Sequence, residues 1–178
     1  KGLPDSFDRL AINISARQFS QDDFALKVEA FTKEANISPN DLELEITESV
    51  FLDDDEGTDA TFAALKKVGV RLALDDFGTG YSSLNYFRTL PAQEVKIDRT
   101  FVGDLIGNQD NSMIVEAILR LSQSFQRRTV AEGVETAEQE QRLLELGCDV
   151  GQGYRYSPPL PLAEALDWAN NFNWARYH

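Results

Sequence analysis

Six short apolar runs, each closing on a polar side chain and separated by stretches of helical periodicity, constrain what this chain can fold into. Leu10–Ile14, Leu42–Ile46, Val70–Leu74, Glu94–Ile97 and Thr129–Ala131 read as strands, and a sixth lies within Asp149–Tyr154. Between them, Phe24, Val28, Phe31 and Ala35 recur on one helical face, as do Ile114, Ile118, Leu121 and Phe125. Ser20 reads as the N-cap of the first of these helices, and Pro39-Asn40-Asp41 as the turn after it. Thr58–Val68 reads as a helix closed by Gly69, and Asn111–Gln126 as another. Thr136 and Gln139 have capping-box spacing, Gly147 stops the helix they open, and Pro161 suits the first turn of a last helix over Leu162–Ala169. Strands alternating with helices predict a parallel α/β sheet with crossover helices. A closed barrel takes eight strands and typically ~250 residues. Six units in 178 residues therefore predict a TIM-like (β/α) barrel two strands short, or an open sheet.

The polar residues at the strand ends carry the chemistry. They are Asn13, Glu45, Asp75 with Asp76, Lys96, Glu132 and Gln152. In a parallel barrel all strand C-termini open on one face, so these side chains are predicted to converge. Four of them are carboxylates, which repel one another and raise each other's pKa when crowded. A divalent cation relieves that repulsion, and an oxygen-rich set without His or Cys favours Mg²⁺, Mn²⁺ or Ca²⁺. Adjacent Asp75 and Asp76 can serve two ions, an arrangement suited to in-line hydrolysis of a phosphodiester. Lys96 would add positive charge near the attacking water or the developing anion.

Composition removes several function classes. Lys plus Arg is 17 and Asp plus Glu 30, a net charge of −13, which argues against a nucleic-acid polymer or an anionic membrane as partner. Cys148 is the only cysteine and the lone histidine is the final residue, His178, so zinc sites built on histidine or cysteine are effectively excluded and no intrachain disulfide can form. No apolar run approaches the ~20 residues of a membrane span. Gly78–Ser83 looks like a phosphate loop but lacks the lysine of a P-loop, and Asp76-Phe77-Gly78 has no other kinase motif with it. Asp53-Asp54-Asp55-Glu56 reads as a solvated acidic loop, and Trp168 and Trp174 as packing residues.

The stretches ELEITES (Glu43–Ser49), LDDFGTGYSSL (Leu74–Leu84), KIDRTFV (Lys96–Val102), AEGVET (Ala131–Thr136) and QGYRYSPPLP (Gln152–Pro161), with Asn13-Ile14-Ser15-Ala16-Arg17, resemble the EAL domains. These are bacterial cyclic-di-GMP phosphodiesterases, and the resemblance runs in order over nearly all of residues 1–178. It implies a modified eight-stranded barrel, two Mg²⁺ or Mn²⁺ ions, and hydrolysis of cyclic di-GMP to linear pGpG. By residue match, Asn13, Glu45 and Asp75 would hold one metal, and Asp75, Asp76 and Glu132 the other. Lys96, with Asp98 beside it, would help position the hydrolytic water. Gln152 and Glu135 would lie near the nucleotide, Pro159 close to a guanine, and Glu48 would anchor the Asp76–Ser83 loop that communicates with a dimer interface.

The Glu-Ala-Leu signature of the family is absent from its family position, since Glu164-Ala165-Leu166 falls in the last helix. It belongs upstream of Leu10, on an initial two-strand hairpin that is also what the strand count lacks. The chain is thus expected to be the greater part of such a domain, cut from a larger protein, or else an inactive form acting as a cyclic-di-GMP receptor or interaction module. The resemblance further implies a homodimer, sensor or GGDEF domains on the same polypeptide, and a cytoplasmic domain whose parent protein can be membrane-anchored.

Overall fold

The computed structural model describes residues 9–51, 56–79 and 84–172. Its centre is a single sheet of six parallel strands in chain order: β1 (Leu10–Ile14), β2 (Leu42–Thr47), β3 (Arg71–Phe77), β4 (Glu94–Ile97), β5 (Arg128–Glu132) and β6 (Val150–Gln152). Parallel neighbours require crossovers. These contain the helices α1 (Ala16–Phe19) and α2 (Phe24–Ala35), α3 (Glu56–Val68), α4 (Leu84–Thr89), α5 (Arg99–Gly103) and α6 (Gln109–Ser124), and α7 (Ala137–Leu146). α8 (Leu162–Asn171) follows the last strand. None of the described helices is long and apolar enough to cross a membrane.

Side chains alternate along each strand, and the two sheet faces differ sharply. Leu42, Leu44 and Ile46, Leu72 and Leu74, and Val95 and Ile97 pack with Phe19, Phe24, Phe62, Leu65, Val115 and Leu119 from the helices. The other face carries Glu43 and Glu45, Asp75, Glu94 and Lys96, all buried. Burying charge is costly unless it is paired, so the inner face must neutralise itself. Near its floor, Arg9 bridges Glu43 (2.7 Å) and Glu94 (3.4 Å), with Arg128 3.8 Å from Glu94.

Several local expectations need correction. Ser20 does not cap the second helix; Ser15 caps α1 in a capping box with Gln18, and Ser20 ends that helix. α2 buries Phe24, Val28 and Thr32, leaving Phe31 48% exposed. α6 buries Val115, Ile118, Leu119 and Ser122, leaving Ile114 and Phe125 on its edge. Both helices carry more apolar residues than one contact face can cover, and periodicity alone does not say which row meets the sheet. α1, α4 and α5 are too short for any period to announce them. β3 runs through Phe77, so Asp75 and Asp76 lie within the strand rather than after it. Gly69 and Gly147, both at positive φ, stop α3 and α7 as expected, and Cys148 is buried. Trp168 packs on Phe172 at 4.5 Å between ring centroids. Trp174, His178, Asp53–Asp55 and Gly80–Ser83 lie outside the described residues.

Candidate active site

Lys96 organises the rim. Its Nζ donates to Glu132 Oε1 (2.6 Å) and Glu45 Oε1 (2.8 Å) and lies 3.4 Å from Asp75 Oδ1. Glu45 is on β2 and Glu132 on β5, three strands apart. In a flat sheet of ~4.8 Å strand spacing their backbones would stand ~14 Å apart. The sheet therefore curls as part of a barrel does, and strand ends distant in sequence face one another. Lys96 is only 4% exposed. Burial by itself would lower its pKa, but hydrogen bonds to Glu132 and Glu45 and the charges of Glu132 and Asp75 raise it overall, so it stays an ammonium.

Asp75 and Asp76 should point to opposite faces of a regular strand. Asp76 instead adopts φ 54°, and the β3–β4 register shifts between Leu74 and Phe77. This left-handed residue, a conformation aspartate tolerates better than most, breaks the alternation and turns both carboxylates to one side. Oxygens of Asp75, Asp76 and Glu132 lie within 4.8 Å of one another. Burial first, then the charges of Asp75 and Asp98, raises the Asp76 pKa. Burial also raises Glu132, opposed by Lys96 and assisted by Asp75 and Glu45. Asp98, whose charge bears on Asp76, is itself held low: burial would raise it, but bonds from the Thr100 side chain and backbone prevail.

The donor set fits a hard divalent cation. Glu45, Asp75, Asp76 and Glu132 carry four formal negative charges against the single ammonium of Lys96, leaving three uncompensated. Asn13 stands beside them: one end of its amide lies 3.1 Å from Asp75 Oδ2 and 3.2 Å from Glu45 Oε2, and as the nitrogen it donates to both.

The structure thus brings together Asn13, Glu45, Asp75, Asp76, Lys96 and Glu132, as their strand-end positions predict. Gln152 is the register partner of Glu132 and stands at the border of the cluster with its side chain exposed. Glu135 and Pro159 are exposed on the segments after β5 and β6. Glu48 Oε1 accepts a hydrogen bond from Gly78 N at 3.2 Å, at the start of the loop it was expected to anchor. The influence of Asp98 on Asp76 was not foreseen; no spacing rule links residues whose nearness depends on a left-handed kink.

A family model described as "EAL domain" matches residues 3–159. The chain belongs to the EAL domain family. It is 40% identical over 157 residues to the bifunctional diguanylate cyclase/cyclic di-GMP phosphodiesterase MucR of Pseudomonas aeruginosa, covering 88% of this chain and 23% of MucR. It is 39% identical over 155 residues to the cyclic di-GMP phosphodiesterase NbdA of the same organism, covering 87% of this chain and 20% of NbdA. The curated relatives are thus four to five times as long as the part this chain spans. Among solved structures, the MucR phosphodiesterase in complex with c-di-GMP superposes with a TM-score of 0.84 at 39% identity, covering 88% of this chain and 64% of that one. The manganese and cyclic-di-GMP complex of Klebsiella pneumoniae BlrP1 gives 0.79 at 28% identity, covering 86% and 40%.

Proposed function

We propose that residues 1–178 form the greater part of a metal-dependent phosphodiesterase domain that hydrolyses cyclic di-GMP to linear pGpG. One observation carries this reading: Lys96, Glu45, Asp75, Asp76 and Glu132 meet at the C-terminal rim of a parallel sheet, where barrel enzymes keep their chemistry. The manganese and cyclic di-GMP bound together in BlrP1 support the choice of ligands. Asn13, Glu45 and Asp75 would hold one Mg²⁺ or Mn²⁺, and Asp75, Asp76 and Glu132 a second. Bound there, the cations would supply charge neutralisation at the phosphodiester and lower the pKa of water.

The protein's own groups do the rest. Water oxygen bonds to one phosphorus, the P–O3′ bond breaks, and the departing 3′ oxygen takes a proton, which leaves pGpG. Lys96 keeps its proton at neutral pH, so it acts as a fixed positive donor toward the attacking water and not as a base. Gln152, Glu135 and Pro159, exposed beside the rim, are the groups placed to meet the nucleotide, and Glu48 holds the loop beginning at Gly78. The working unit is read as a homodimer within a longer signalling protein. The test is incubation with cyclic di-GMP and Mg²⁺, with product separated by chromatography. Formation of pGpG that disappears in Asp75→Asn supports the reading. No pGpG, or undiminished turnover in Asp75→Asn, overturns it.

A further inference from the structure

Gln139 uses every hydrogen-bonding position of its amide while only 6% exposed. Its Oε1 accepts from the backbone N–H groups of Glu135 (2.8 Å) and Thr136 (3.0 Å), in the segment directly after Glu132. Its Nε2 donates to the carbonyls of Val102 (3.2 Å) and Gly103 (2.9 Å), at the end of α5. The capping box with Thr136 explains the first pair but not the second. α5 has five residues and is capped by Asp98, two residues after Lys96. At its other end, a Cβ on Gly133 would stand 2.6 Å from Arg99 Cβ, so the residue after Glu132 lies flush against α5. The Glu132 segment and the Asp98 helix are therefore fastened at both ends.

We propose that Gln139 is a positioning residue for the cation-binding carboxylates. Its two-sided amide fixes the segment that follows Glu132, on one side of the clamp, against α5 on the other, whose cap Asp98 stands two residues beyond Lys96, the ion-pair partner of Glu132. The inference rests on the metal-dependent reading above and deepens it. Outer partners of metal ligands commonly change affinity 10–100-fold when removed.

Gln139→Glu isolates the effect. A carboxylate still accepts from Glu135 and Thr136 but sets an oxygen against the carbonyls of Val102 and Gly103. Thr136→Ala removes the cap of the same helix and leaves the clamp. Mn²⁺ alone is titrated into each folded protein and followed by electron paramagnetic resonance. The expected result is a Kd for Mn²⁺ at least about tenfold weaker in Gln139→Glu and within about twofold of the parent in Thr136→Ala. Should Gln139→Glu not fold, Gln139→Asn, one methylene too short to span the gap, is expected to show the same weakening. Unchanged Mn²⁺ affinity in the Gln139 variants, or an equal loss in Thr136→Ala, overturns the clamp. A parent protein that binds Mn²⁺ without hydrolysing cyclic di-GMP refutes the phosphodiesterase reading alone. One that binds no Mn²⁺ refutes both.

Discussion

Glu48 and Gly78 lie thirty positions apart in sequence, yet the Glu48 carboxylate accepts a hydrogen bond from the Gly78 amide at 3.2 Å. Glu48 sits in the 3₁₀ turn after β2, and Gly78 follows the paired aspartates of β3. The other carboxylate oxygen of Glu48 is buried with no hydrogen-bond partner among the described residues. Glu48→Ala should release the loop while leaving the cation ligands in place. Turnover of cyclic di-GMP is expected to fall about tenfold or more, as for other loops that complete a site. Mn²⁺ affinity, measured by titration, should move far less.

Lys96→Met should separate the role proposed for Lys96 in hydrolysis from its structural one. Without the ammonium, Glu45, Asp75 and Glu132 face one another uncompensated. Removing one partner of a buried ion pair costs about 3 kcal/mol or more. Thermal unfolding should therefore show a large drop in Tm that added Mg²⁺ partly restores. Hydrolysis should fall at least about 100-fold even at saturating Mg²⁺.

The floor of the sheet should make stability depend on pH. Burial first, then the neighbouring Glu43 charge, pushes the Glu94 pKa from its ordinary 4.5 up to about 7, against the opposing Arg9 and Arg128. Between those values the folded chain holds a proton that the unfolded chain releases. The contribution of Glu94 is thus full below pH 4.5 and lost as pH rises through 7. Unfolding free energies from denaturant titration should be lower at pH 8 than at pH 5 by about 1–2 kcal/mol from this group, after discounting for solvent screening. Glu94→Gln should flatten that slope.

Gly153→Ala should be severely destabilising. A methyl group at Gly153 would overlap the backbone nitrogen and oxygen of Val134. Val134 N donates to the Gln152 carbonyl at 3.0 Å, and Arg155 N donates to the Val134 carbonyl at 2.9 Å. The substitution should detach the Gln152 segment from the segment after β5 and cost more than about 2 kcal/mol. Urea denaturation would read this directly.

The sequence made the strand ends legible because a parallel α/β pattern leaves little choice about where they point. Asn13, Glu45, Asp75, Lys96 and Glu132 follow from that pattern alone, and the structure joins Glu45, Asp75 and Glu132 through the Lys96 ammonium, with the Asn13 amide beside them. Helix faces were less legible: Phe31, Ile114 and Phe125 are apolar but sit outside the tight contact with the sheet. The capping role of Gln139 was readable from its distance to Thr136, whereas its bonds to Val102 and Gly103 depend on α5, which no periodicity reveals. The extent of β3 was missed because two adjacent acids resemble a turn.

The left-handed backbone at Asp76 also limits what change this position can tolerate. Asparagine and glycine accept that geometry as readily as aspartate, and branched or bulky side chains do not. A substitution to asparagine would keep the kink and remove one negative charge from the Asp75, Asp76 and Glu132 cluster. A lineage descended from such a chain would have a short route from catalyst to silent listener, with its architecture left intact.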